Sequence, residues 1–493
     1  MNESRGTTRA EILAAVPTGL LIDGEWRDAT SGARFDVEDP SDGSVIARVA
    51  DATPEDGAAA LEAAHRAQST WSRTAPRERG EILRRGFELV TERAELFATV
   101  MTLEMGKPLA ESRNEVAYAA EFLRWFSEEA PRVAGRFSVA PDGRNRLLVA
   151  KRPVGPSLLI TPWNFPLAMA TRKVAPAIAA GCTSILKPAA LTPLSALLFA
   201  AVMEEAGLPA GVLNVVPTSA AGAVTGPLIR DSRLRKLSFT GSTEVGRVLI
   251  AQASEQVLRV SMELGGNAPF LVFADADLDA AVAGALQAKL RNGGEACTAA
   301  NRFLVERPVV EEFTARLAAA MSAYPVGRGT DPEVKLGPLV DAATRDKVDE
   351  LVRGAVEDGA KVVTGGNRIG GSGYFYEPTV VTDVPTHARI LQEEIFGPVA
   401  PVVPFDSERE AIELANATPF GLIAYAYTRD LNRGLRLAEE LEVGMFGLNA
   451  GVISNPAAPF GGTKQSGLGR EGGAEGIEEY LETQYVGIGD PFA

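Results

Sequence analysis

Histidine and cysteine are almost missing from this chain: 493 residues contain two of each. Cys182 and Cys297 are too few for a disulfide framework or a zinc cluster. His65 and His387 stand far from the thiol, carboxylate and amide stretches described below, which argues against a histidine-based triad or metal centre; no metal is expected. An excess of basic residues is also lacking. Lys and Arg number 49 against 64 Asp and Glu, a net charge of −15, which argues against a nucleic-acid partner. It leaves room for a local basic pocket. No apolar run reaches the ~18 residues of a membrane span, and the first ten residues lack an apolar signal core. The expectation is a soluble, cytoplasmic protein without a membrane partner. Internal repeats and low-complexity segments are absent too.

What is present reads as globular: 46% hydrophobic and 23% charged residues, at a length that calls for two or three domains. Residues 1–18 read as a loose arm. Leu20–Trp26 reads as a strand and turn at Asp23-Gly24, and Thr53-Pro54-Glu55-Asp56 as a helix start with a reciprocal cap. Helical periodicity covers 58–71, 77–100 and 109–129, broken at Leu103–Pro108. Residues 144–152 read as an exposed strand at a hairpin or oligomer edge. From Val154, short apolar runs alternate with helical segments as far as Glu263. The alternation restarts after Pro269–Phe273. Such spacing means parallel, doubly wound sheets, which bind ligands at strand carboxyl ends.

Three turn-prone stretches carry chemistry. Arg291-Asn-Gly-Gly-Glu-Ala-Cys297 holds a thiol, Met262-Glu263-Leu264-Gly265-Gly266 a carboxylate running into a glycine pair, and Thr161-Pro162-Trp163-Asn164-Phe165-Pro166 an amide donor. Together they suit covalent acyl chemistry. A free cysteine usually packs as a small buried hydrophobe, and Cys182 at a strand start fits that description. Cys297 follows polar, turn-forming residues that make a poor core, which favours a nucleophile. On spacing alone Glu263 is equally a base or a capping acid. Phe239-Thr240-Gly241-Ser242-Thr-Glu-Val245-Gly246 follows a strand and opens a helix, where an anion is favoured, yet it matches neither the dinucleotide fingerprint nor a complete phosphate loop. Lys187-Pro188, at a strand end, pairs with a cofactor or is simply solvated.

Taken in order, these motifs resemble the aldehyde dehydrogenase superfamily from about Leu20 to Gly489. Glu394-Ile-Phe396-Gly-Pro398 and Pro459-Phe-Gly-Gly-Thr-Lys-Gln-Ser-Gly-Leu-Gly-Arg-Glu471 complete the set. Trp163–Lys173 and Ile453-Ser454-Asn455 are most similar to the succinate-semialdehyde branch. The resemblance implies two doubly wound α/β domains plus a small β oligomerisation extension. The cofactor-binding domain would comprise 1–132 and 154–264, the catalytic domain 265–462, and the extension 133–153 and 463–493, in a homodimer or homotetramer.

The resemblance also implies roles. Cys297 attacks the aldehyde, the Asn164 amide and the Cys297 N–H hold the oxyanion, and Glu263 activates water to release the acid. Relatives that pass the acyl group to coenzyme A commonly lack the Glu263 carboxylate, so hydrolysis is implied. Thr161, Pro162, Trp163, Lys187, Ala190, Thr240, Gly241, Ser242, Val245, Leu264, Glu394 and Phe396 would bind the cofactor. Many NAD-using members carry Glu where this chain has Ala190; its absence removes a ribose acceptor and a charge that would repel a 2′-phosphate. NADP is therefore expected, with NAD possible. Ala299 stands where some relatives carry a second cysteine, so no disulfide switch is expected there. Arg172, Arg291 and Ser454 would receive the distal carboxylate of succinate semialdehyde. The close alternatives are glutarate semialdehyde or a broader aldehyde range; the alternative of another class is a catalytically silent binding relative.

Overall fold

In the computed structural model, residues 9–490 and Phe492 are described; the first eight residues of the expected arm, and 491 and 493, lie outside them. Arg9–Ala14 is a six-residue helix, which corrects the reading of 9–14 as loose chain.

Two sheets dominate. The first has eight strands, and its parallel centre runs Leu213–Val215, Ser184–Lys187, Ser157–Ile160, Lys236–Thr240 and Arg259–Glu263 in that spatial order. Every residue of Ser157–Ile160, Ser184–Lys187 and Lys236–Thr240 is buried, the pattern of parallel strands covered on both faces. The strand order reverses about Ser157–Ile160, so its carboxyl end opens at a switch point, where the Pro162–Pro166 turn begins. Antiparallel edges close the sheet: Leu20–Ile22 on one side and, from much later in the chain, Gly467–Leu468 on the other.

The second sheet has seven strands in the order Lys361–Thr364, Thr379–Thr382, Val399–Phe405, Ala300–Glu306, Ala268–Val272, Ile423–Tyr427 and Met445–Leu448. All its pairings are parallel except that of Lys361–Thr364. A separate antiparallel sheet joins Leu481–Gly489, Asn145–Pro153 and Arg136–Val139. Two doubly wound α/β layers and a small β extension are thus the architecture. The chain after residue 463 divides: Thr463–Lys464 pairs with Phe420–Gly421, Gly467–Leu468 joins the first sheet, and only Leu481–Gly489 enters the extension.

Local signals explain many boundaries. Thr53 and Asp56 form the reciprocal cap on Pro54–Trp71. Ser242 caps Thr243–Ser254 by accepting from the Val245 N–H. The helical run 77–100 divides at Arg93 into Pro76–Glu92 and Ala94–Met105, and Gly106, at φ 93°, ends the second in a left-handed cap. Among the described residues, no helix is long and apolar enough to cross a membrane.

Candidate active site

Asn164 lies in the turn that follows Ser157–Ile160, and Glu263 ends Arg259–Glu263 two strands away. Cys297 lies in the turn between the helix Leu278–Leu290 and the strand Ala300–Glu306 of the second sheet. The site therefore sits at the seam between the sheets. All three residues line one cavity of about 260 Å³. Pro162, Trp163, Thr240, Gly241 and Ser242 line it too, as do Leu264, Glu394 and Phe396.

Gly266 explains the glycine pair after the carboxylate. A Cβ there would stand 2.4 Å from the Cys297 carbonyl oxygen, so only glycine lets the Glu263 strand press this closely on the nucleophile turn. Gly266 also donates its N–H to Glu394 Oε1 at 3.1 Å. Lys347 Nζ donates to the Glu394 carbonyl at 2.8 Å, and Phe396, at φ 55°, meets the Trp163 ring edge to face at 5.5 Å. Glu394 is thereby fastened to the same wall as the Thr240–Ser242 turn.

Burial shapes the titration of these groups. The Cys297 thiol is pushed up to about 12, first by burial and then by the Glu394 and Glu263 charges, with Arg172 and Arg291 opposing. Glu263 is held well above the usual carboxylate range by burial and by Glu471, against Lys173, Arg172 and Arg470. Its Oε2 is buried without a hydrogen-bond partner, as is Asn164 Oδ1. The Asn164 Nδ2 group donates to the Glu295 carbonyl at 2.9 Å, which leaves its second hydrogen uncommitted. The Cys297 N–H has no acceptor among the described residues.

Lys187, Ala190, Thr161 and Val245 stand away from the cavity wall. Lys187 is buried, and burial lowers its ammonium to about 8; among the described residues no carboxylate pairs with it. Its carbonyl accepts from the Thr161 N–H at 3.2 Å, and Thr192 Oγ1 donates to the Trp163 carbonyl at 3.0 Å. The two strand-end loops are therefore tied together. Ala190 is half-buried and Val245 exposed. Thr240 Oγ1, on the cavity wall, is also buried without a partner. An unpaired lysine, an unpaired hydroxyl and a helix N-terminus at Thr243 make a donor set that suits an anionic dinucleotide.

The three residues expected at the substrate carboxylate differ in setting. Arg291 is half-buried, stacks 5.1 Å from the Phe165 ring, donates to Thr298 Oγ1, and lines a second cavity of about 70 Å³. Arg172 is 2% exposed and lines neither cavity; it donates to Tyr118 Oη at 2.7 Å and lies 3.5 Å from Glu471 Oε2. Tyr118 shares the smaller cavity with Arg291, so the Arg172 guanidinium reaches toward it through that hydroxyl. Ser454 is half-buried and lines neither cavity.

Several residues around the site escape a sequence reading. Lys107 stands in what reads as a mere helix break, yet its Nζ bonds to Glu115 Oε2 and to the Asn164 carbonyl at 2.8 Å. Glu115 Oε1 accepts the N–H groups of Leu167 and Ala168, capping the helix that follows Asn164 from a distance. Glu111 accepts the Asn292 N–H, and Glu471 bonds to Lys173. The faint signal is a charge stripe, Lys107–Glu111–Glu115, that looks solvent-facing and is turned inward.

A family model described as the aldehyde dehydrogenase family matches residues 26–486. The succinate-semialdehyde dehydrogenase of Paenarthrobacter nicotinovorans is 66% identical over 91% of this chain and 100% of its own length. The glutarate-semialdehyde dehydrogenase of Pseudomonas aeruginosa is 50% identical over 95% of this chain and 97% of its own. The crystal structure of an NADP-dependent enzyme from E. coli superposes with a TM-score of 0.95 at 49% identity, covering 97% of this chain and 99% of that one.

Proposed function

The chain belongs to the aldehyde dehydrogenase family, and on that premise we propose that it oxidises succinate semialdehyde to succinate with NADP as hydride acceptor. The observation that carries the reading is the convergence of Cys297, Glu263 and Asn164 on one cavity.

The aldehyde carbonyl is polarised between the free hydrogen of Asn164 Nδ2 and the Cys297 N–H. Cys297 Sγ gives up its proton to solvent water and bonds to the carbonyl carbon as the C=O π pair moves to oxygen, and the resulting oxyanion stays between those donors. One such donor is worth about 2.7–4 kcal/mol of barrier. Bound NADP supplies a hydride acceptor. Loss of hydride leaves a thioester on Cys297. Glu263 then takes a proton from water as the water oxygen attacks, the C–S bond breaks, and the acid leaves. Its raised pKa makes it a stronger base and requires that it first shed its own proton.

The donor set fits the cofactor: Lys187 and Thr240 have polar groups to spare, and the Ser242-capped helix starts just after Thr240. Ala190 puts no carboxylate near a 2′-phosphate, which supports NADP over NAD. At the far end of the substrate, Arg291 meets the carboxylate directly, and Arg172 acts through or beside Tyr118, with Ser454 contributing from its own loop. The closest second reading is glutarate semialdehyde, one methylene longer, supported by the P. aeruginosa relative; one methylene discriminates by only about 1–3 kcal/mol.

In this reading, residues 1–132 and 154–264 bind the cofactor, 265–462 carry the catalytic turn, and 133–153 with Leu481–Gly489, the part of the expected 463–493 that enters the three-stranded sheet, join subunits of a homodimer or homotetramer. Exposed Phe137, Val139, Tyr485 and Ile488 on the three-stranded sheet support that last role. A panel of succinate, glutarate and uncharged aldehydes, followed by NADPH or NADH absorbance, tests the function. No turnover on any aldehyde would leave the silent binding relative standing.

A further inference from the structure

Asn292 is the residue on which the oxyanion donor and the nucleophile turn meet. It is 1% exposed and holds φ 55° and ψ 36°, a left-handed backbone that Asn tolerates better than most residues. Its Nδ2 donates to two main-chain carbonyls, that of Asn164 and that of Glu295, each at 3.0 Å. The Glu295 carbonyl is the same oxygen that takes one hydrogen of Asn164 Nδ2 at 2.9 Å. Its own N–H donates to Glu111 Oε2 at 2.6 Å, and Lys107 Nζ holds the Asn164 carbonyl at 2.8 Å.

We propose that Asn292 is a positioning residue, anchored by Glu111, that sets the direction of the one free Asn164 hydrogen relative to Cys297. The geometry carries this in two steps. Asn164 is bound at both ends of the residue, through its carbonyl and its side-chain amide; Asn292 donates directly to the carbonyl and also holds the Glu295 carbonyl that the amide binds. The bridge spans the seam, since Asn164 follows a strand of the first sheet and Glu295 precedes Cys297 in the second. Asn292 touches no reacting atom; it acts through Asn164. The inference rests on the reading of Asn164 as the oxyanion donor.

The test uses the full chain and the aldehyde that the unaltered enzyme turns over fastest. Asn292→Gly keeps the left-handed backbone and the N–H to Glu111 but removes the bridging amide. Asn292→Asp keeps the shape but turns carboxylate oxygens toward two carbonyl oxygens. Rapid-mixing absorbance should show acylation slowed about 10- to 100-fold in N292G and more in N292D, because misdirection costs less than loss of a donor, which is worth about 100- to 1,000-fold. Cofactor affinity, read by fluorescence, should stay within about twofold, which a general loosening of the fold would not allow. The deciding measurement is the pairing with Asn164→Ala. N164A and the double variant N164A/N292G should acylate at the same rate, since the second change has nothing left to direct. Losses that multiply, or an unimpaired N292G beside a crippled N164A, would overturn the role of Asn292 alone. An N164A that acylates normally would overturn the oxyanion reading beneath it.

Discussion

The Cβ position of Gly266 lies 2.4 Å from the Cys297 carbonyl oxygen, so the glycine pair behind the base sets how deeply the nucleophile turn can sit. A methyl group cannot share that space. Gly266→Ala should push the turn away, and a misplacement of ~1 Å can cost about 100-fold in rate. A kcat/KM within a few-fold of the unaltered enzyme would show that the turn has room to give.

Cys297→Ala should abolish oxidation while leaving cofactor binding nearly unchanged, because the thiol contributes chemistry rather than affinity. The half-buried thiol on the cavity wall also has a pH signature. With its pKa pushed up to about 12, Cys297 is protonated at neutral pH, and its thiolate fraction grows about tenfold per pH unit. Alkylation of the free enzyme by iodoacetamide, followed by mass spectrometry, should accelerate accordingly from about pH 7 to pH 9. A rate already flat at pH 7 would mean that the surroundings favour the thiolate.

Glu263→Gln should form the thioester and then stall, giving a stoichiometric burst of reduced cofactor with little steady turnover. In the unaltered enzyme the same step should weaken in acid. The Glu263 pKa is raised, so its base form is depleted as pH falls, and hydrolysis of a preformed thioester slows. Thioester formed first and then shifted to lower pH should release its acid more slowly in a stopped-flow measurement; an unchanged rate would remove Glu263 from that step. Loss of the burst itself in E263Q would move Glu263 to an earlier step.

Ala190→Glu should shift preference toward NAD by offering the ribose hydroxyls an acceptor and a 2′-phosphate a repelling charge. Comparing kcat/KM for the two cofactors checks this. An unaltered enzyme clearly more efficient with NAD would refute the cofactor assignment.

Arg291→Ala should weaken use of succinate semialdehyde about 100-fold or more while sparing butanal, since only the former leaves a carboxylate without a partner. Arg172→Ala should cost both substrates something, because its guanidinium also faces buried Glu471 at 3.5 Å. Equal losses from Arg291→Ala on the two aldehydes would make that arginine a support of the fold.

Much of this protein is written locally. Thr53 with Asp56, Asp23-Gly24 and Ser242 act within a few residues of themselves, so capping and turn chemistry are legible without the rest of the chain. The alternation of short apolar runs with helical segments carries the doubly wound class, because parallel strands buried on both faces demand it. The thiol stands out because turn-forming residues precede it, whereas Glu263, at the end of an apolar strand, reads equally as a base or a capping acid until the motifs are taken together. Tertiary structure decided what depends on distant partners. Gly467–Leu468 pairs with Met262–Glu263 across some two hundred residues, and nothing in a two-residue strand specifies its neighbour. Lys107, Glu111 and Glu115 look like a solvated helical face, and only the burial of Asn164, Asn292 and Leu167 against them turns that face inward. Arg172 shows the same limit: its position in the chain marks a charge near the site, whereas its hold on Tyr118 and Glu471 follows from how the helix Leu109–Glu129 and the chain after Gly467–Leu468 pack against it.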